Sequence, residues 1–445
     1  MGFISRLFRL QPGEDRLLLV LGLFLMINSL ARQVAGIVAV SGFLSEGGVN
    51  QMLLIIGIDY ALVMAVGALQ SLVVDKFNRI KLMSTMTLIF AVIFVLLRIM
   101  FYFNAPGWLN YSVMYLVVEQ QFIFFPMIFW VMATDVCSMA QSKRLFPLIS
   151  SWNFVGILLG TAVAALSPDL FSRLSLPIED ILYLNVAIYL LAYLLLTNGL
   201  RSVTVRKTAQ PRETIRETLR EGWDFVRGVT SFRYLTLAIL ALALVDTIVE
   251  FRFYVVTDAA FPGQETYQRF FSIYTLAVTI ISFAIQALVT GRLLQKMNLK
   301  DTFFFFPGVA FLGVMGMLLV PGASMAVSAM LLVKLMRDTI FDSTLKAFQS
   351  LVPEERRGRV STFLTSYLPS IGTILACLIT GAIVALGVRF GWHYHLAYLA
   401  VALGGAALAV FFVAKMRDTY ESSLLNWRLK RRQRSTSSVL DKLDF

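Results

Sequence analysis

Long apolar stretches of about 20 residues alternate along this chain with short charged connectors, the pattern of helices that cross a bilayer. Segments such as LLLVLGLFLMINSL show no period-two alternation, so barrel strands do not fit. Inside hydrocarbon the backbone must satisfy its own hydrogen bonds, which leaves helices. The pattern predicts twelve spans, at 17–43, 52–73, 82–103, 111–137, 149–166, 178–200, 234–257, 270–290, 302–320, 323–349, 360–387 and 394–414. The expected fold class is therefore an all-α membrane protein. Its first apolar stretch is too long for a signal-peptide core and is read as a retained helix.

Charge refines the picture. The chain of 445 residues is 58% hydrophobic and 15% charged, with a formal net charge of +12. The excess of cations does not point to nucleic acid, because most of them sit in connectors and in the C-terminal tail. With an even number of spans both termini share a side. The connectors and tails of that side hold 30 Lys and Arg, whereas the opposite side holds three, Arg173, Arg269 and Arg389. This asymmetry predicts cytoplasmic termini. Two Cys and two His without ligand spacing predict no disulfide framework and no metal site. No cofactor is expected. The 36 Phe are expected to face mostly lipid and the interfaces.

The longest internal connector divides the chain into an N-terminal six-helix bundle (1–200), a cytoplasmic linker (201–233), a C-terminal bundle (234–414) and a basic tail (415–445). Within the linker, Ile215, Leu219, Trp223 and Val226 share one helical face, which fits an amphipathic helix on the membrane surface or a solvated linker helix. The two bundles resemble one another. SLVVDKFN at Ser71 matches GRLLQKMN at Gly291, and the same offset carries Arg32 onto Arg252. Parallel six-helix repeats are similar to the plan of the major facilitator superfamily. Asp75, Lys76 and Arg79 also resemble that superfamily's loop signature after its second helix, with Ser71 and Asn78 where Gly is usual.

Ionised groups within spans are costly, at about 2.5–3.5 kcal/mol each on insertion scales, and mark solute or ion paths. Span 1 carries Arg32, span 2 Asp59 and span 4 Glu119. Span 7 carries Asp246, Glu250 and Arg252, and span 10 carries Lys334, Arg337, Asp338, Asp342 and Lys346. Lys334, Asp338, Asp342 and Lys346 recur every four residues, on a slowly drifting face. The expected solute-binding set is Arg32, Glu119, Glu250, Arg252, Lys334 and Arg337, converging in a hydrated interior. Asp246, Asp338, Asp342 and Lys346 are expected as gating or ion-pair residues, which structural helix locking would also explain. Asp59 reads as a buried helix–helix contact, and Arg98 as a residue snorkelling to the surface. No phosphate loop, nucleophile elbow or HExxH motif is present, so an enzyme is not expected.

Four segments in order resemble the bacterial and plastid ATP/ADP translocases: LARQVAGIVAV in span 1, FWVMATDVCSMAQSKRLFPLISSWNFVG in spans 4 and 5, LVDTIVEFRFYVVTDAAFPGQETYQRFFSIYTLAVTIISF in spans 7 and 8, and IFDSTLKAFQSLVPEE in span 10. Arg32, Glu250, Asp342 and Thr344 match that family's residues, and Glu119 aligns if one residue is skipped. The family's path lysines fall here at Ala35, Tyr254 and Leu345, so cations could come only from Arg252 and Lys346. The chain thus reads as a divergent member. The resemblance implies secondary transport by alternating access in a bacterial inner membrane, of an anionic solute, nucleotides or phosphorylated compounds included. Arg32 and Arg252 would hold the anion, and Glu119 and Glu250 would pair with them or carry protons. A proton-coupled transporter of another organic solute, or a non-transporting sensor or assembly module using the basic tail, are the alternatives. The expected partners are a small anionic solute and the lipid bilayer, and a monomer is compatible with this reading.

Overall fold

The computed structural model describes residues 14–73, 78–137, 139–200, 215–349, 352 and 354–440. Asp75 and Lys76 of the loop signature and most of the linker, 201–214, lie outside them. The described residues are almost wholly helical, with no β-strand among them. Spans 1 to 6 are Glu14–Gly47, Val49–Val73, Arg79–Tyr102, Gly107–Val136, Met139–Arg173 and Ile181–Gly199. A lateral helix, Ile215–Gly228, precedes span 7, Thr230–Ala260. Span 8 runs Gln264–Ile285 and continues through a π-helical turn, Gln286–Thr290, into Gly291–Lys296. Span 9 is Phe305–Leu319, span 11 Leu368–Phe390 and span 12 the membrane part of Tyr394–Leu440.

Among the described residues, eleven helices are long and apolar enough to cross a membrane. The twelfth, span 10, is too highly charged to qualify by composition. It consists of Ala323–Leu335, a π-helical turn Met336–Phe341 and Asp342–Gln349. The fold is thus the expected all-helical twelve-span architecture. The helices group into two compact units, one of residues 1–214 with 257–280, the other of residues 215–256 with 281–445.

In the first unit span 1 is central and packs against spans 4, 5 and 6. Its contact with span 5 is close because glycine allows it. A Cβ at Gly156 would lie 2.2 Å from the Met26 carbonyl oxygen, and one at Gly160 2.7 Å from that of Leu30. Small residues let membrane helices approach in this way. The core between spans 1, 3, 4 and 6 is aromatic: Phe24 stacks on Phe129 with centroids 5.8 Å apart, and Phe94 on Tyr189 at 5.5 Å. Segment 257–280 is tied to this unit by Gln268, fully buried, which donates to the Ala164 carbonyl and to Ser167 Oγ, both at 2.8 Å. Gln264 Nε2 donates to the Tyr111 hydroxyl at 2.9 Å, and Arg269 pairs with Asp169.

The second unit repeats the close crossing, since a Cβ at Gly372 in span 11 would lie 2.9 Å from the Leu240 carbonyl oxygen of span 7. Span 9 packs on spans 10 and 12. Phe232, Phe303 and Phe348 form an aromatic cluster, with centroids 4.7 Å and 5.4 Å from Phe348. A subset of the phenylalanines is thus internal rather than lipid-facing. Phe24, Phe94, Phe125, Phe129, Phe251, Phe253 and Phe303 are fully buried, because flat rings fill helix–helix gaps with much apolar area.

The helix Ile215–Gly228 divides the apolar face read from the sequence. Phe225 and Val226 are buried and a Cβ at Gly222 would meet Phe363, whereas Trp223 is 57% exposed. Protein contact falls on Gly222, Phe225 and Val226, one turn apart, and Trp223 is left outward.

Candidate functional site

Each unit carries a polar cluster within its spans. In the first, Arg32 sits one helical turn beyond Asn28 on span 1. Its guanidinium lies 4.4 Å over the Phe122 ring, a cation–π arrangement that steadies a partly desolvated charge. Glu119 and the Tyr189 hydroxyl interact with it electrostatically. Successive residues of span 4 serve different neighbours. Gln120 Nε2 donates to Asp59 Oδ1 at 2.9 Å, and Gln121 Nε2 to Asn28 Oδ1 at 2.9 Å. Asp59 is 4% exposed and held by this amide, which gives it the helix–helix role its sequence position suggested.

In the second unit, Arg337 pairs with Asp246 of span 7 and donates through Nε to Asp338 Oδ1 at 2.8 Å. Glu250, one turn along span 7 from Asp246, accepts a 3.1 Å hydrogen bond from the Tyr254 hydroxyl. It lies in the electrostatic field of Asp246, Lys334 and Arg337. Asp342 is similarly coupled to Asp338, Lys346 and Arg337. The π-helical turn explains how one helix gathers so many charges. From Lys334 to Lys346 a regular helix would drift by about 120°, and a π-helical insertion turns the face back by about 100°. Lys334 and Asp342 are half-buried, with Thr339, Ile340, Thr344 and Leu345 packed behind them. The π-helical turns of spans 8 and 10 adjoin one another, and Gln286 Nε2 donates to Ser343 Oγ at 3.2 Å.

Arg252 does not join this group. Two residues after Glu250, it leaves the opposite side of span 7 and donates to the Tyr398 hydroxyl of span 12 at 3.3 Å. The cations whose charge reaches Glu250 are Lys334 and Arg337. Arg79, the described member of the loop signature, pairs with Asp135 at the end of span 4, with side chains 8% and 2% exposed. Arg98 does not simply snorkel: its Nε donates to Asp180 Oδ1 at 2.8 Å and its guanidinium lies 5.5 Å from the Tyr183 centroid.

Sequence reasoning missed the uncharged partners, namely Gln120, Gln121, Asn28, Tyr189 and Tyr398. Amides at mid-span were the available signal, since a buried amide in hydrocarbon requires a partner.

The chain matches the family model described as Major Facilitator Superfamily over residues 19–376. It belongs to that superfamily. Among solved structures, this major facilitator protein is similar to the nucleoside transporter NupG, with 15% identity, 90% of this chain and 99% of that one covered, and a TM-score of 0.62. A bacterial homologue of the human lysosomal transporter Spinster gives 15%, 94%, 98% and 0.58 in the same order. A bacterial homologue of the iron transporter ferroportin gives 14%, 92%, 100% and 0.63. At such identities the likeness is one of fold alone. Comparison with curated proteins returns no match. The chain is thus a multi-pass integral membrane protein of a transporter superfamily rather than an enzyme.

Proposed function

We propose that this protein is a secondary transporter of an anionic solute, with nucleotides and other phosphorylated compounds foremost, working by alternating access. The observation that carries the reading is the Asp246–Arg337–Asp338 ion-pair network between spans 7 and 10, with Glu250 and Lys334 in its field. Carboxylates hold the guanidinium in place when no solute is bound, and a phosphate or carboxylate can replace them bidentately. Arg32, in the electrostatic field of Glu119, is the candidate solute-binding cation of the first unit. Kinship with the nucleotide translocases is part of this proposal and rests on Arg32, Glu250, Asp342 and Thr344. An inner-membrane location, which follows from that kinship, and cytoplasmic termini, which rest on the uneven distribution of Lys and Arg, are also part of it. The division of the chain at 201–233 likewise belongs to this reading.

A second reading has its own support. Glu250 and Asp246 are two carboxylates one turn apart, and the Tyr254 hydroxyl already donates to Glu250. Carboxylates so placed within a span are candidate proton carriers, which would couple flux to a pH gradient.

Ligand-induced thermal stabilisation of the purified protein tests the first reading, using nucleotides, sugar phosphates and organic acids. Stabilisation by a phosphorylated anion, lost in Arg32→Gln and in Arg337→Gln, is the expected result. Equal stabilisation of wild type and both variants would reject the residue assignment. Absence of stabilisation by any anion would reject the solute class.

A further inference from the structure

A shallow open groove of about 380 Å³ lies at the end of span 8, lined by Leu288, Val289, Arg292, Leu293, Lys296 and Met297. Leu288, Val289, Arg292, Leu293 and Lys296 recur at helical spacing, the two cations one turn apart, and Met297 follows just past the helix end. Leu288 is 59% and Val289 45% exposed. Arg292 and Lys296 are also exposed, and among the described residues neither has an ion-pair partner. Their neighbours in the same connector are engaged: Lys300 pairs with Glu421, and Asp301 accepts from Arg417 Nε at 2.8 Å.

The helix that carries the groove runs 33 residues, Gln264–Lys296. At 1.5 Å per residue that is about 50 Å, well beyond a hydrocarbon core of about 30 Å. The excess of about 20 Å lets the Arg292–Lys296 end reach headgroup depth, with Leu288 and Val289 toward the acyl boundary. No acidic residue lines the groove.

We propose that this groove binds an anionic phospholipid. The phosphate sits between Arg292 and Lys296, and an acyl chain lies along Leu288, Val289, Leu293 and Met297. The charge match selects an anionic headgroup, and the apolar turn beneath it selects a lipid over a free anion. This site is independent of which solute the protein carries.

Native mass spectrometry and thermal stabilisation of the full chain test the proposal, with phosphatidylglycerol, phosphatidylcholine of the same acyl chains, and inorganic phosphate as probes. Phosphatidylglycerol is expected to bind and stabilise wild type, and the other two are not. Each of Arg292→Gln and Lys296→Gln should weaken this binding about five-fold, and the double variant about thirty-fold. Arg389→Gln, a cation from the opposite connector, should bind as wild type. Undiminished phosphatidylglycerol binding in the single and double variants would overturn the site. An equal response to phosphatidylcholine would overturn the charge recognition, and an equal response to phosphate would overturn the lipid assignment.

Discussion

Removing Arg337 should destabilise the second unit more than removing either acid that it holds. Its guanidinium pairs with Asp246 and with Asp338 at once, and the side chains of Arg337 and Asp246 are 32% and 14% exposed. Two unit charges about 4 Å apart attract by about 4 kcal/mol at an effective dielectric of 20, before desolvation is subtracted. Fully exposed pairs are worth about 0.2–1 kcal/mol, and breaking fully buried ones costs about 3–5 kcal/mol. With this intermediate exposure, a coupling near 2 kcal/mol is expected for Arg337 and Asp246. Arg337→Gln leaves two carboxylates unpaired and should cost about 3 kcal/mol. Asp246→Asn leaves Arg337 still bonded to Asp338 and should cost about 2 kcal/mol. The double variant should cost about 3 kcal/mol rather than the 5 kcal/mol or so of independent sites. Equilibrium unfolding in mixed micelles, followed by circular dichroism, gives all three values. Additivity within about 0.5 kcal/mol would refute the pairing argument.

Three further substitutions probe the frame around the clusters. Arg79→Gln strands Asp135 in a buried position and should cost about 3–5 kcal/mol, whereas Arg269→Gln, at a pair more than half exposed, should cost under about 1 kcal/mol in the same unfolding assay. Gly156→Ala forces a Cβ against the Met26 carbonyl and should lower stability by about 1–3 kcal/mol, while Gly381→Ala, with open space around it, should leave the melting temperature unchanged. Gln268→Leu removes the donor to Ala164 and Ser167, so amide hydrogen exchange in 264–280 should accelerate by one to two orders of magnitude, about 1–3 kcal/mol, with little change in spans 9 to 12.

The twelve spans were legible because a bilayer imposes one length and one composition on every crossing helix. Even span 10, which carries Lys334, Arg337, Asp338, Asp342 and Lys346, was recognisable from the apolar residues between its charges. The site was legible only as a set of costly residues. Sequence spacing placed Arg252 with Glu250, yet a two-residue step on a helix turns side chains nearly opposite, and Tyr398 claims the guanidinium. A π-helical turn has no comparable signature in residue type, so the gathering of Lys334 through Lys346 around Met336–Phe341 became visible only in three dimensions. The lateral helix illustrates the same limit. Apolar spacing grouped Val226 with Trp223, but the glycine at 222 lets Phe363 approach, and Val226 is buried while Trp223 is exposed.

Uptake of labelled nucleotides and sugar phosphates into proteoliposomes is the most direct measurement, comparing wild type with Arg32→Gln and Arg337→Gln. The account predicts solute-specific flux in wild type that falls at least about ten-fold in each variant, the loss of one charge-assisted contact. Flux that persists unchanged in both variants would contradict the assignment of these intramembrane cations to the transport path.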